Sequence, residues 1–248
     1  MNIFICIDDT DNLESIGTGE VLEELMAALE AQQLAQCSFV TRHQLFIHPD
    51  IAYTSHNSSM CCAGTTQRLE AVVAFCRNYM DSHCAEGSDP GLCILVPDRL
   101  ASPEPLLAFG RAAKQTVLTK ADARTLAGSL GDAVFLSEHG GTGDGIIGAL
   151  AGCGLRMSGN DGRIKGKLKP AAPGEVWTVA DFCRTYHIDR VLDLDRQPVP
   201  PDDRLIFKEQ SKALYQDFQK TVYAARTPED DGAWHPLSKK ELPKSWMN

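Results

Sequence analysis

The run Ile3-Phe4-Ile5-Cys6-Ile7 is apolar at every position and stops abruptly at Asp8-Asp9-Thr10-Asp11. An unbroken apolar run of this length reads as a central strand covered on both faces, because a half-exposed strand alternates. Any fold that accepts it must place layers on both sides of a sheet and hold three carboxylates at the sheet's edge. Such acids repel one another and need solvation or a counter-charge. A divalent cation meets that need: magnesium takes oxygen ligands and binds through one or two carboxylates plus substrate phosphates. Asp8, Asp9 and Asp11 are therefore the candidate metal ligands and catalytic acids, with turn capping as the simpler alternative.

Downstream, the loop closes with Gly17-Thr18-Gly19, and Glu20 to Gln33 carries Val21, Leu22, Leu25, Met26 and Leu29 at helical spacing. A small-residue helix start offers free N–H groups to an anion, so Thr18 is a candidate site residue and Gly17 and Gly19 candidate phosphate contacts. Ser38 to Ile47 reads as a strand stopped by His48-Pro49-Asp50, and Tyr53 to Ser59 as a polar loop. Thr66 to Tyr79 reads as a helix, Leu92 to Pro97 as a buried strand, and Glu104 to Leu118 and Ala121 to Leu130 as helices. A strand over Ala133 to Leu136 leads through His139 and a glycine loop into a helix over Ile146 to Met157. Nine of the 23 residues from Gly140 to Gly162 are glycine, a density that brings backbone close to a ligand or to another element. Gly143 to Gly148 fits Gly-x-Gly-x-x-Gly, but Asp144 within the turn opposes a bare pyrophosphate and argues against a dinucleotide fold.

Charge divides the chain. Residues 1–164 hold 10 Lys and Arg against 20 Asp and Glu, whereas residues 165–248 hold 14 against 13. A net charge of −9 disfavours a protein that coats nucleic acid. The boundary falls at Lys165-Gly166-Lys167-Leu168-Lys169-Pro170. Beyond it a helix capped by Thr178 with Asp181 and strand-like runs at Val191–Leu194, Arg204–Phe207 and Thr221–Ala224 suggest a small β-rich module, with a tail carrying Pro228, Pro236 and Pro243 that Trp234 and Trp246 could dock. The nine cysteines form no CxxC pair and no Cys/His zinc spacing, which excludes a zinc ribbon and suggests small buried apolar groups in a reduced, cytoplasmic protein. No apolar run reaches the roughly 18 residues of a membrane span, so no membrane partner is expected.

The Ile7-Asp8-Asp9-Thr10-Asp11 block, the glycine-threonine loop with Thr18, the Arg42 strand running to Asn57, and Gly145-Ile146-Ile147-Gly148-Ala149-Leu150-Ala151 resemble, in this order, the catalytic core of the tRNA(Ile) 2-agmatinylcytidine synthetase (TiaS) family. The resemblance implies an α/β or α+β fold: a kinase-like part over 1–120, a glycine-rich segment over 121–164 completing the core as its ferredoxin-like part, and the β-rich module over 165–248. It implies ATP and Mg2+ as cofactors, activation of a carbonyl oxygen by phosphoryl or adenylyl transfer, and a Thr18 phosphorylated from ATP. Thr10, Gly17, Gly19, Asn57, Gly141, Gly143 and Gly145 would then line the nucleotide. The chain departs from the family at Gly19, where a second threonine is usual, and at Thr54-Ser55-His56-Asn57, where a Thr-Arg-Gly-Asn-like loop is usual. No counterpart of the family's OB-fold or zinc ribbon is evident, so a small nucleobase-like or amine substrate is expected ahead of whole tRNA, and oligomerisation stays open. The competing readings are a non-catalytic nucleotide- or RNA-binding module and a haloacid-dehalogenase-like phosphatase using Asp9.

Overall fold

The structure, a computed structural model, describes every residue except 54–55, 228–229, 244–245 and 247–248, so Thr54, Ser55 and Pro228 lie outside the described residues. The chain forms two compact units, Met1–Ser158 and Gly159–Asn248. The division falls before the lysine-rich stretch that the sequence suggested, because Arg163 and Ile164 already pair with a strand of the second unit.

The first unit runs β1 (Asn2–Asp8), α1 (Thr18–Ala31), β2 (Gln36–Gln44), β3 (Ser58–Thr65), α2 (Leu69–His83), β4 (Gly91–Leu95), α3 (Glu104–Ala112), α4 (Lys120–Leu130), β5 (Val134–Glu138) and α5 (Gly145–Met157). Its strands lie in the order β5-β4-β1-β3-β2, and every neighbouring pair is antiparallel. The first six elements are thus a βαββαβ unit with strand order 4-1-3-2, the ferredoxin-like arrangement. That arrangement is complete within Asn2–Leu95, ahead of the glycine-rich segment in which the sequence placed it. β1 lies between β3 and β4 and is the central strand its apolar run required.

Alternation along β1 divides the two layers. Ile3, Ile5 and Ile7 face α1 and α2, meeting Leu22, Leu25 and Leu29 of α1 and Val72, Cys76 and Met80 of α2. Phe4 and Cys6 face α3, α4 and α5, among Leu106, Phe109, Ala149, Leu150 and Cys153. Fully burying one such Leu or Ile side chain contributes about 1.5–3 kcal/mol, so either layer holds its helices without a cofactor. Asp8, next on the Cys6 side, ends the strand beneath α5.

Two elements differ from the sequence expectation. β3 was not expected: its Ser58-Ser59-Met60-Cys61-Cys62-Ala63-Gly64 sequence has no β-branched residue before Thr65, and pairing on both sides with β1 and β2 makes it a strand. The helix expected to Leu118 stops at Ala112, and a turn then carries the chain to Thr119, which caps α4 in a reciprocal capping box with Asp122.

The second unit is the expected small β-rich module. It comprises β6 (Arg163–Ile164), β7 (Glu175–Thr178), α6 (Val179–Tyr186), β8 (Arg190–Leu192), β9 (Arg204–Phe207), β10 (Leu214–Gln216), β11 (Gln219–Arg226) and β12 (Trp234–Pro236). Thr178 caps α6 by accepting from the Asp181 N–H at 3.1 Å. Phe182 and Phe207 meet edge to face in its core. Trp234 donates to Asp203 at 2.8 Å, and Trp246 packs on Tyr223 with ring centroids 4.4 Å apart, so both tryptophans dock the tail.

Candidate functional site

The C-terminal end of β1 gathers carboxylates from three places in the sequence. Asp8 is the last residue of β1 and is buried, whereas Asp9 and Asp11 are half-buried. Asp9 turns the chain through a left-handed conformation, φ 52°, which aspartate tolerates better than most residues. Burial pushes the Asp8 carboxyl well above the usual range, with Asp9 and Asp11 adding repulsion. Asp9 is pushed up to about 6, first by desolvation and then by Asp89, Asp11 and Asp144. These are the marks of carboxylates held together without enough positive charge.

Asp89 and Asp144 complete the cluster, and neither was a candidate in the sequence. Asp89 lies in the turn before β4 and receives the Thr142 N–H on its side chain, while its carbonyl accepts from the Gly145 N–H at 3.0 Å. Asp144 is the N-cap of α5. A signal for Asp89 was available: Ser88-Asp89-Pro90-Gly91 puts an acid just ahead of a buried strand, as Asp8 stands just after one.

The glycines of the loop and of α5 admit this crowding. A side chain at Gly148 would strike the Asp8 carboxylate, one at Gly145 the backbone of Asp89 and Gly91, and one at Gly141 the Asp89 carboxylate. Gly141 and Gly143 also have positive φ, 55° and 78°. Gly143 abuts Glu138, which pairs with Arg124 and Lys120, so its neighbours are the end of β5 and α4. The strand before this loop is antiparallel to its neighbour β4, which removes the parallel βαβ setting of a dinucleotide fingerprint.

Thr18 is the first residue of α1, with Gly17 as its N-cap and Gly19 buried in the first turn. Its hydroxyl donates to Asp11 at 2.6 Å and accepts from the Thr10 N–H at 3.4 Å. The geometry therefore joins Asp11 to Thr18 directly. Thr10 is wholly buried, and its own hydroxyl has no hydrogen-bond partner among the described residues. Asn57 serves the β2–β3 connection: its side chain donates to the Phe46 carbonyl at 2.6 Å, and its carbonyl accepts from Gln44 at 2.6 Å. His139, beside the glycine loop, is hydrogen-bonded to Asp81 at 2.6 Å and to Ser137 at 2.8 Å, which ties the end of β5 to α2.

The donors at this edge are all oxygen, several are charged, and a buried hydroxyl stands among them without a partner. That set suits a hard cation such as Mg2+. The positive end of α1, at Thr18, adds a place for an anion beside it.

An antiparallel ferredoxin-like unit carrying acids at one edge and two further helices and α5 over its second face, with a small β module following, defines a TiaS-like fold. Solved structures that share it include those of a tRNA fluorescent labeling enzyme (TM-score 0.55, 20% identity, 76% of this chain and 45% of that one) and of apo TiaS, a tRNA agmatidine synthetase (0.53, 18%, 76% and 44%). The complex of TiaS with its tRNA and ATP matches similarly, at TM-score 0.54 and 20% identity, over 82% of this chain and 50% of that one. The chain thus spans about half the length of these proteins. No family model matches the chain, and no curated protein does. Among the described residues, no helix is long and apolar enough to cross a membrane.

Proposed function

We propose that the chain is an ATP- and Mg2+-dependent enzyme that activates a carbonyl oxygen by phosphoryl or adenylyl transfer at the acidic edge of its first unit. The observation that carries this reading is the Thr18 hydroxyl, hydrogen-bonded to Asp11 at a helix N-terminus inside a cluster of under-neutralised carboxylates. Asp8, Asp9 and Asp11 would hold magnesium, which when bound offsets phosphate charge. Thr10, Gly17, Gly19, Gly141 and Gly145 would line the nucleotide, with Asn57 and Gly143 supporting the surrounding loops. In the covalent step, Thr18 Oγ1 forms a bond to the γ-phosphorus of ATP as the bond to the bridging oxygen breaks; ADP leaves and the hydroxyl proton passes to Asp11. The acceptor is a small nucleobase-like or amine-reactive carbonyl compound. The same fold in TiaS, solved with ATP and with AMPCPP and agmatine, supports the nucleotide and an amine as partners.

Calorimetry tests the central claim. ATP binds in the presence of Mg2+, and both removing the metal and Asp11→Asn weaken binding at least tenfold, because triphosphate beside unneutralised carboxylates is repelled. Equal affinity under all three conditions overturns the reading.

Whole tRNA is not expected to bind tightly. A protein making 6–10 phosphate contacts needs that many clustered cations. Of the basic run Arg163, Lys165, Lys167 and Lys169, Arg163 is buried and Lys165 half-buried, which leaves Lys167 and Lys169 exposed. Gel-shift titration with bulk tRNA at about 150 mM salt should show no saturable submicromolar complex. Such a complex would restore tRNA as the substrate.

A further inference from the structure

Four cysteines far apart in sequence meet on the α5 side of the first unit's sheet. Cys6 lies directly opposite Cys61 across β1 and β3, and opposite Cys93 across β1 and β4. Cys153 descends from α5, its thiol 3.8 Å from the Cys93 carbonyl. The Sγ atoms of Cys6, Cys61 and Cys153 lie within 4.8 Å of one another, and all three residues are wholly buried. Around tetrahedral zinc, Zn–S bonds of about 2.3 Å set sulfur atoms about 3.8 Å apart. The three thiols therefore stand close to the spacing that one ion would impose.

A second observation points to the same place. Ser59, two residues before Cys61 and on the same face of β3, is wholly buried, and its hydroxyl has no partner among the described residues. A side chain at Gly152 would strike both the Cys6 sulfur and the Ser59 oxygen, so the two atoms open onto one point beneath the helix. Thiols can fill a core as small apolar groups, but an orphaned hydroxyl is costly there, and apolar filling leaves Ser59 unexplained.

We propose that Cys6, Cys61 and Cys153, with the Ser59 hydroxyl completing the set, form a site for a thiophilic d10 cation, Zn2+ or Cu+. Soft sulfur ligands select these ions over magnesium, so this site and the acidic edge would take different metals. The ligands come from two strands and a helix, and the ion would tie α5 to the sheet two residues along β1 from Asp8. The proposal stands independently of the nucleotide reading.

Elemental analysis of the chain purified from cells supplied with zinc and copper should find close to one equivalent of one of them, falling at least tenfold in Cys61→Ala. Because a core variant can fail to fold, the unsubstituted chain is also unfolded under reducing, metal-free conditions and refolded with Cd2+ or with Cu+. A thiolate-to-metal charge-transfer band should appear at one equivalent and persist in Cys84→Ala, a cysteine on the other face. Displacement of cadmium by Zn2+ or by Cu+ distinguishes the two ions. Less than a tenth of an equivalent in the purified chain together with no band after refolding overturns the proposal, as does an undiminished band in a folded Cys61→Ala chain.

Discussion

Incubated with ATP and magnesium, the chain gains the mass of one phosphoryl group, and Thr18→Ala gains none. The expectation follows from position: the Thr18 hydroxyl is fixed by Asp11 at 2.6 Å, so its proton already has an acceptor, and the helix start at Gly17 favours the phosphate that would arrive. Removing an activated nucleophile costs on the order of 10⁴-fold or more in turnover when the nucleophile is used in every cycle. Thr18→Ser keeps the hydroxyl and should keep the label. Intact-mass measurement before and after a phosphatase reads the result, and equal labelling of the Thr18→Ala chain would sink the assignment.

Magnesium should stabilise the fold strongly at pH 7.5 and weakly at pH 5. The folded chain holds the Asp9 proton up to about pH 6, against an unfolded value of about 3.9. Between those values the folded state binds more protons than the unfolded one, so this group's contribution to stability falls as pH rises through the window and levels off above it. The upward displacement of Asp8 acts in the same direction. A bound cation reverses the penalty, but only where the carboxylates are ionised. At a hundredfold excess over its dissociation constant, a ligand adds about 2.7 kcal/mol, roughly 5–10 °C in melting temperature for a chain of this size. Thermal melts with and without magnesium at the two pH values check this. An increment of the same size at both would show that the acids are not the binding groups.

The sequence displayed what a short window can display. The all-apolar run of β1 demanded a covered central strand, and the cluster at its end was visible because three acids fell within four residues. Thr18 and the glycines of α5 were legible for the same reason of proximity. β3 was not, since serine, cysteine and glycine carry little strand preference and the segment becomes a strand by pairing on both sides. Asp89 was missed because it reaches the site through the β4–β1 register, some 80 residues from Asp8. The thiols show the same limit most sharply: a spacing rule built on CxxC pairs says nothing about Cys6, Cys61 and Cys153, which only cross-strand register and a helix laid over β1 bring together.

The placement of α5 over β1 also bears on when the site can exist. The helix that closes over Asp8 ends at Met157 and is made well after β1, so the contact between Asp8 and Gly148 joins segments about 140 residues apart. Contacts of such long range form late, because the loop-closure entropy must be met before they contribute. At about 5–20 residues per second of synthesis, the acidic edge would wait about 7–30 s for Met157 with its carboxylates open to water, where their repulsion is well screened. Docking of α5 then removes that water in one event. A nascent chain that ends ahead of α5 would therefore carry Asp8, Asp9 and Asp11 and still lack the desolvated site, which makes the glycine-lined helix the timing element of this fold.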